Sequence, residues 1–110
     1  MLVPVSYEQF LAELTPEERE LSRFFLGAVA RVRIRAQRAL EVGSGWGIFT
    51  GSMLHCPGIQ NIVTIDSRPM ESLDDFRRRI ETAPDPGRVQ FIKGVSRDVL
   101  PRLAIDRFDL

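Results

Sequence analysis

The chain has little sulfur, a single lysine and no surplus of charge. Its 110 residues include one cysteine, Cys56, which excludes an internal disulfide framework and a cysteine-rich zinc site. Fifteen basic residues meet fifteen acidic ones, so the formal net charge is zero. A global basic field that grips nucleic acid is therefore not expected, and no nucleic-acid partner is assigned. Long apolar runs are missing as well. Charges at Arg31, Arg33 and Arg35 interrupt the longest, so no membrane span is expected. The N-terminus lacks a basic flank followed by an apolar run and a small-residue cleavage site, so no secretory leader is read there. These absences point to a cytoplasmic protein. What is present is ordinary for one globular domain: 44% hydrophobic and 27% charged residues.

Charge is unevenly spread. Residues 1–20 carry five glutamates against Arg19, whereas residues 21–40 carry Arg23, Arg31, Arg33, Arg35 and Arg38 and no acid. The second block reads as the solvated face of a helix and the turn behind it. Thr15-Pro16-Glu17-Glu18 starts that helix: Thr15 caps, Pro16 suits the first position and Glu18 closes a capping box. Leu21, Phe24, Phe25, Ala28, Val29 and Val32 then recur at helical spacing into the low thirties. A shorter helix is expected around Tyr7, Phe10, Leu11 and Leu14.

From there strands and helices alternate. Arg38–Val42 reads as a strand stopped by glycines, 47–56 as a helix, and Ile62–Ile65 as a buried β-branched strand. Leu73, Phe76, Arg77 and Ile80 mark a helix closed by the Pro84-Asp85-Pro86-Gly87 loop. Arg88–Lys93 is a third strand, Ser96–Leu103 a short helix, and Arg107–Leu110 the start of a fourth strand. Residues 1–36 are thus expected to form a helical segment and residues 37–110 an α/β unit with a parallel, doubly wound sheet. A ligand site in such a sheet lies beyond the carboxyl ends of the strands, here at 43–47, 66–68 and 94–97.

Those three windows hold the motifs. Glu41-Val42-Gly43-Ser44-Gly45-Trp46-Gly47 sets three alternate glycines between a strand and a helix, where main chain can approach a ligand closely. Ile48 breaks the Gly-x-Gly-x-x-Gly spacing of a dinucleotide site. The pattern instead resembles the acidic-x-Gly-x-Gly-x-Gly signature of class I S-adenosylmethionine-dependent methyltransferases. Asp66 follows the second strand, 19 residues beyond Gly47, where a carboxylate can accept both hydroxyls of a ribose. Its other reading is a helix cap, with Ser67 and Pro69 following. The third window, Gly94-Val95-Ser96-Arg97-Asp98, resembles the adenine-binding segment of catechol-type O-methyltransferases. A helix N-cap at Ser96 or Asp98 is the alternative.

The resemblance covers residues 39–110 and implies a Rossmann-like class I methyltransferase fold, strand order 3-2-1-4, with only the start of strand four. It implies S-adenosylmethionine as cofactor, held by Glu41, Gly43, Ser44, Gly45, Trp46, Gly47, Asp66, Ser67, Ser96 and Arg97. Glu41 would lie near the cofactor's ammonium or bond neighbouring backbone, and Trp46 would shield the cofactor or pack on the helix. The expected reaction is methyl transfer to a small-molecule oxygen acceptor. No catalytic residue and no metal ligand is assigned; a divalent metal would need ligands from sequence beyond Leu110. The 110 residues alone are expected to be inactive, and to self-associate or to pair with a missing C-terminal half through an uncovered sheet edge. A non-catalytic adenosine-binding or interaction module and half of an NAD-dependent oxidoreductase are the alternatives. His55 reads as a surface histidine, Cys56 as a small buried residue, and Arg77-Arg78-Arg79 as a solvated helix face.

Overall fold

The computed structural model describes residues 4–31, 38–56, 58–103 and 108. Helix α1 (Tyr7–Ala12) and helix α2 (Pro16–Arg31) precede strand β1 (Arg38–Val42), helix α3 (Ile48–Leu54), strand β2 (Asn61–Asp66), helix α4 (Asp74–Glu81), strand β3 (Val89–Lys93) and helix α5 (Ser96–Val99). Single 3₁₀ turns lie at Met70–Ser72, Pro86–Arg88 and Leu100–Arg102. Both α1 and α2 open with reciprocal capping boxes. Ser6 pairs with Gln9, and Thr15 with Glu18, each side chain receiving the other residue's main-chain N–H.

The three strands pair in parallel in the order β1-β2-β3, with Ala39 opposite Ile62 and Ile62 opposite Val89. This is the 3-2-1 part of the expected order. The expected fourth strand at Arg107–Leu110 falls, apart from Phe108, outside the described residues. Alternation along the strands puts Ala39, Ile62, Val89 and Phe91 on one face. There Met53 and Leu54 of α3 and Phe76 and Ile80 of α4 close the main core. Phe76 and Phe91 meet with ring centres 5.8 Å apart.

The N-terminal helices pack onto α3. Phe10, Leu11 and Leu14 form a second apolar cluster, and the Phe10 ring occupies the space that a Cβ at Gly51 would fill. Phe25 meets Phe49 edge-on at 5.1 Å. Between these contacts Tyr7 Oη lies 2.8 Å from Ser22 Oγ, Ser22 Oγ lies 2.6 Å from Ser52 Oγ, and Ser52 donates to the Ile48 carbonyl. The helical stripe read from the sequence is only partly used. Leu21 and Phe24 stand in solvent, Phe24 at 75% exposure, because Ser22 and Phe25 form the face toward α3. Among the described residues no helix is long and apolar enough to cross a membrane.

Candidate functional site

A cavity of about 330 Å³ opens beyond the carboxyl ends of all three strands. Val42 and Gly43 line it from β1, Ile65, Asp66, Ser67 and Arg68 from β2, and Gly94, Val95 and Ser96 from β3. The three sequence windows therefore converge on one place, as a parallel sheet requires. Gly43, Asp66, Ser67 and Ser96 share its wall. Val42, Ile65, Arg68, Gly94 and Val95 complete that wall and were not assigned as binding residues: the first two end strands, Gly94 and Val95 entered only as part of the third window, and Arg68 reads as a surface residue.

The three glycines are required by conformation. Gly43, Gly45 and Gly47 have φ of 88°, 54° and 81°, the left-handed region that side chains disfavour. A Cβ at Gly43 would meet no atom within 4 Å, so space beside its backbone is open to a ligand. A Cβ at Gly47 would lie 3.1 Å from the Phe76 Cα, so the loop rests directly on α4. Arg79 fastens it there: its Nη1 donates to the Trp46 carbonyl at 2.6 Å. The expected solvated arginine face is thus corrected at one position. Arg77 and Arg78 pair with Asp74 and Asp75 on the surface, but Arg79 is buried.

Asp66 joins the ends of β1 and β2. Its Oδ2 accepts the main-chain N–H groups of Ser44 at 3.0 Å and Gly45 at 3.2 Å. Its Oδ1 accepts the main-chain N–H of Arg68 at 2.9 Å, a turn within the loop rather than a helix cap. The Arg68 guanidinium adds Nε to Oδ1 and Nη2 to Oδ2, both at 3.1 Å. Arg68's hydrogen bonds, helped by the N–H donors, hold the Asp66 carboxyl well below the ordinary carboxylate range despite its burial.

The remaining predicted residues divide. Ser44 is buried and its hydroxyl lies 2.6 Å from Thr64 Oγ1, so only its main chain is presented at the loop. Trp46 is 64% exposed. Arg97 is exposed outside the cavity wall. The residue preceding α5 is Val95, which has no capping group to offer. Glu41 faces α3, where its Oε1 accepts the hydroxyls of Thr50 and, at 2.7 Å, Thr64. Because Thr64 donates to Glu41, Ser44 is the donor to Thr64, and the loop, β2, β1 and α3 share one chain of hydrogen bonds.

Burial pushes the Glu41 carboxyl above its ordinary 4.5, against the lowering effect of the two threonines. A raised folded-state value means stability that is full below 4.5 and is lost as pH rises through the folded value. Glu41→Gln keeps the acceptor oxygen and removes the buried charge. Its melting temperature should exceed the wild type's by a few degrees at neutral pH, and the two should converge in acid. Thermal melts across pH check this; parallel curves would contradict it.

His55, read as a surface histidine, is half-buried. Tyr7 and Phe10 lie over it at 5.5 and 5.4 Å, and its Nε2 has no hydrogen-bond partner. Burial, and then the nearby Arg88 charge, lower its pKa. Cys56 is half-buried at the margin of the main core.

No family model matches the chain, and no curated protein matches it. Solved structures do. Cofactor-bound Rv0187 from MTB superposes with a TM-score of 0.62 at 26% identity, over 87% of this chain and 42% of that one. An O-methyltransferase from Bacillus cereus in complex with SAH gives 0.58 at 20% identity, over 87% and 41%. The glycopeptide N-methyltransferase MtfA, complexed with S-adenosylmethionine, gives 0.50 at 23%, over 68% and 31%. The chain spans about two fifths or less of the length of these structures. Together with the β1-β2-β3 topology, the likeness establishes the class: a Rossmann-like α/β fold of the class I methyltransferase type.

Proposed function

We propose that this chain forms the cofactor-binding part of a methyltransferase that takes S-adenosylmethionine and methylates a small-molecule acceptor at oxygen. The observation that carries the reading is the Asp66 carboxylate at the end of β2, on the wall of a cavity shared by the glycine loop and the β3–α5 turn. A nucleoside needs acceptors for two ribose hydroxyls, backbone free of side chains, and an apolar wall for its base. Asp66 offers the first and Gly43 the second, while Val42, Ile65 and Val95 offer the third, with Ser67 and Ser96 as hydroxyls at the same wall. Glu41 faces α3 and lies off that wall, so its part in orienting the cofactor's ammonium end would run through water, and Gly45, Gly47 and Trp46 shape the loop.

When bound, S-adenosylmethionine supplies the electrophilic methyl on its sulfonium. The protein's share is to hold that methyl in line with the acceptor, which is worth roughly 7–11 kcal/mol by positioning alone. Oxygen as the acceptor atom is supported by the likeness of the 94–98 segment to O-methyltransferases. The neighbours include a protein named as an N-methyltransferase beside one named as an O-methyltransferase, so the fold itself is shared by both acceptor types.

Titration with S-adenosylhomocysteine and with NAD tests the reading. The first should bind and the second should not; NAD alone binding would favour an oxidoreductase, and neither binding an interaction module. Asp66→Ala should weaken S-adenosylhomocysteine by about 1.5–3 kcal/mol, the scale of charge-assisted hydrogen bonds. Calorimetry on folded wild type and variant measures it, and equal affinities would remove Asp66 from the site.

A further inference from the structure

We infer that Arg68 is a built-in competitor for the ribose: its guanidinium occupies the acceptor positions on Asp66 that the ligand's two hydroxyls need. The inference rests on the cofactor reading above and concerns how that site opens. A carboxylate has about four lone-pair positions. Asp66 already accepts five N–H groups, three on Oδ2 and two on Oδ1. Three of the five are main-chain donors that belong to the glycine loop and the turn after β2, so they stay while the fold stays. The other two are the guanidinium fork, on a side chain 56% exposed to solvent at the same cavity wall.

A ribose diol also presents two hydroxyl donors to the same two oxygens. Fork and diol are therefore mutually exclusive on Asp66, and ligand entry requires Arg68 to swing away. The apparent affinity is then the intrinsic affinity multiplied by the fraction of molecules with the fork released. Because the pair lies at the solvent margin, salt weakens it and raises that fraction. S-adenosylhomocysteine carries one ammonium and one carboxylate, so its own net charge contributes little salt dependence. The wild type should thus bind it more tightly as salt rises, opposite to the behaviour of a site that holds its ligand by charge. A purely structural Arg68 would not produce that sign.

The test uses the whole chain as wild type, Arg68→Ala and Arg68→Lys. Calorimetry gives the dissociation constant of S-adenosylhomocysteine, and the fluorescence of Trp46, the sole tryptophan, gives the association rate. At about 20 mM salt Arg68→Ala should bind about threefold to tenfold tighter and associate faster, with Arg68→Lys between. By about 500 mM salt the wild type should approach the alanine variant, whose affinity should stay flat. Arg68→Ala retains the three main-chain donors on Asp66, and its melting curve verifies the fold. Equal or weaker binding by folded Arg68→Ala at low salt, with the wild type binding normally, would overturn the competitor. No binding by any of the three proteins at either salt would sink the cofactor reading and the competitor with it.

Discussion

Replacing Arg88 with alanine should cost about 3–5 kcal/mol of stability. A guanidinium has five N–H groups. Those of Arg88 go to five main-chain carbonyls: Asp85 from Nε, Cys56 and Ile59 from Nη1, and Leu54 and Pro84 from Nη2. The charge thereby closes the carbonyl end of α3, where the helix dipole favours a cation. It also ties that end to the loop before β3, where Asp85 sits at φ 44°. Alanine would leave the part-buried Leu54, Ile59 and Pro84 oxygens without their charged donor. Lysine should recover less than half, since one ammonium cannot span two loops. Denaturant melts of the three proteins measure the loss. The same alanine variant should raise the His55 pKa, because one of the two influences lowering it is gone. A variant that loses less than about 1 kcal/mol would show that water replaces the guanidinium without penalty.

Gly47→Ala should be the most damaging change in the glycine loop, at about 2–4 kcal/mol. Two effects add at that residue. A left-handed φ of 81° disfavours any side chain, and the new Cβ would press on the backbone of Phe76 at 3.1 Å. A backbone atom within α4 cannot rotate aside as a side-chain tip would. Gly43 and Gly45 serve as internal controls, because each has positive φ but open space around its Cβ. Alanine there should cost only the conformational part, about 1–2 kcal/mol. Gly45, at φ 54°, should accept asparagine almost without loss. Melting curves of the four variants would show the ranking; equal losses at all three glycines would remove the contact with Phe76 as a cause.

The residues that read well from sequence are those whose structural cause is local. Capping boxes act over three positions, the β-branched run at 62–65 signals itself, and a parallel sheet sends its strand ends to one rim. The cavity wall accordingly falls within the three windows apart from Val42 and Ile65, the last strand residues before two of them. What escaped were arginines whose partners are distant in sequence. Arg79 reaches the Trp46 carbonyl 33 positions away, and Arg88 reaches Leu54 across 34. A main-chain acceptor carries no residue-type signature, so nothing in the sequence announces such a pair. Arg68 was missed for the opposite reason. It sits inside a named window, yet an arginine two residues past an acid reads as surface until the loop folds it back. His55 escaped because its cover comes from α1, some 45 residues earlier in the chain.

The hydroxyls of Tyr7, Ser22 and Ser52 have a consequence for how the molecule opens. Ser52 gives its proton to the Ile48 carbonyl, so Ser22 must donate to Ser52, and Tyr7 to Ser22. Every proton in the series points the same way, toward α3. Apolar helices alone could slide along one another by a turn at modest loss, but a slide here would strand the buried Ser22 hydroxyl with no acceptor. The N-terminal pair should therefore leave α3 as one cooperative unit instead of fraying residue by residue. In native-state hydrogen exchange, amides of α1 and α2 would share one opening free energy, set below that of β2 at the centre of the sheet.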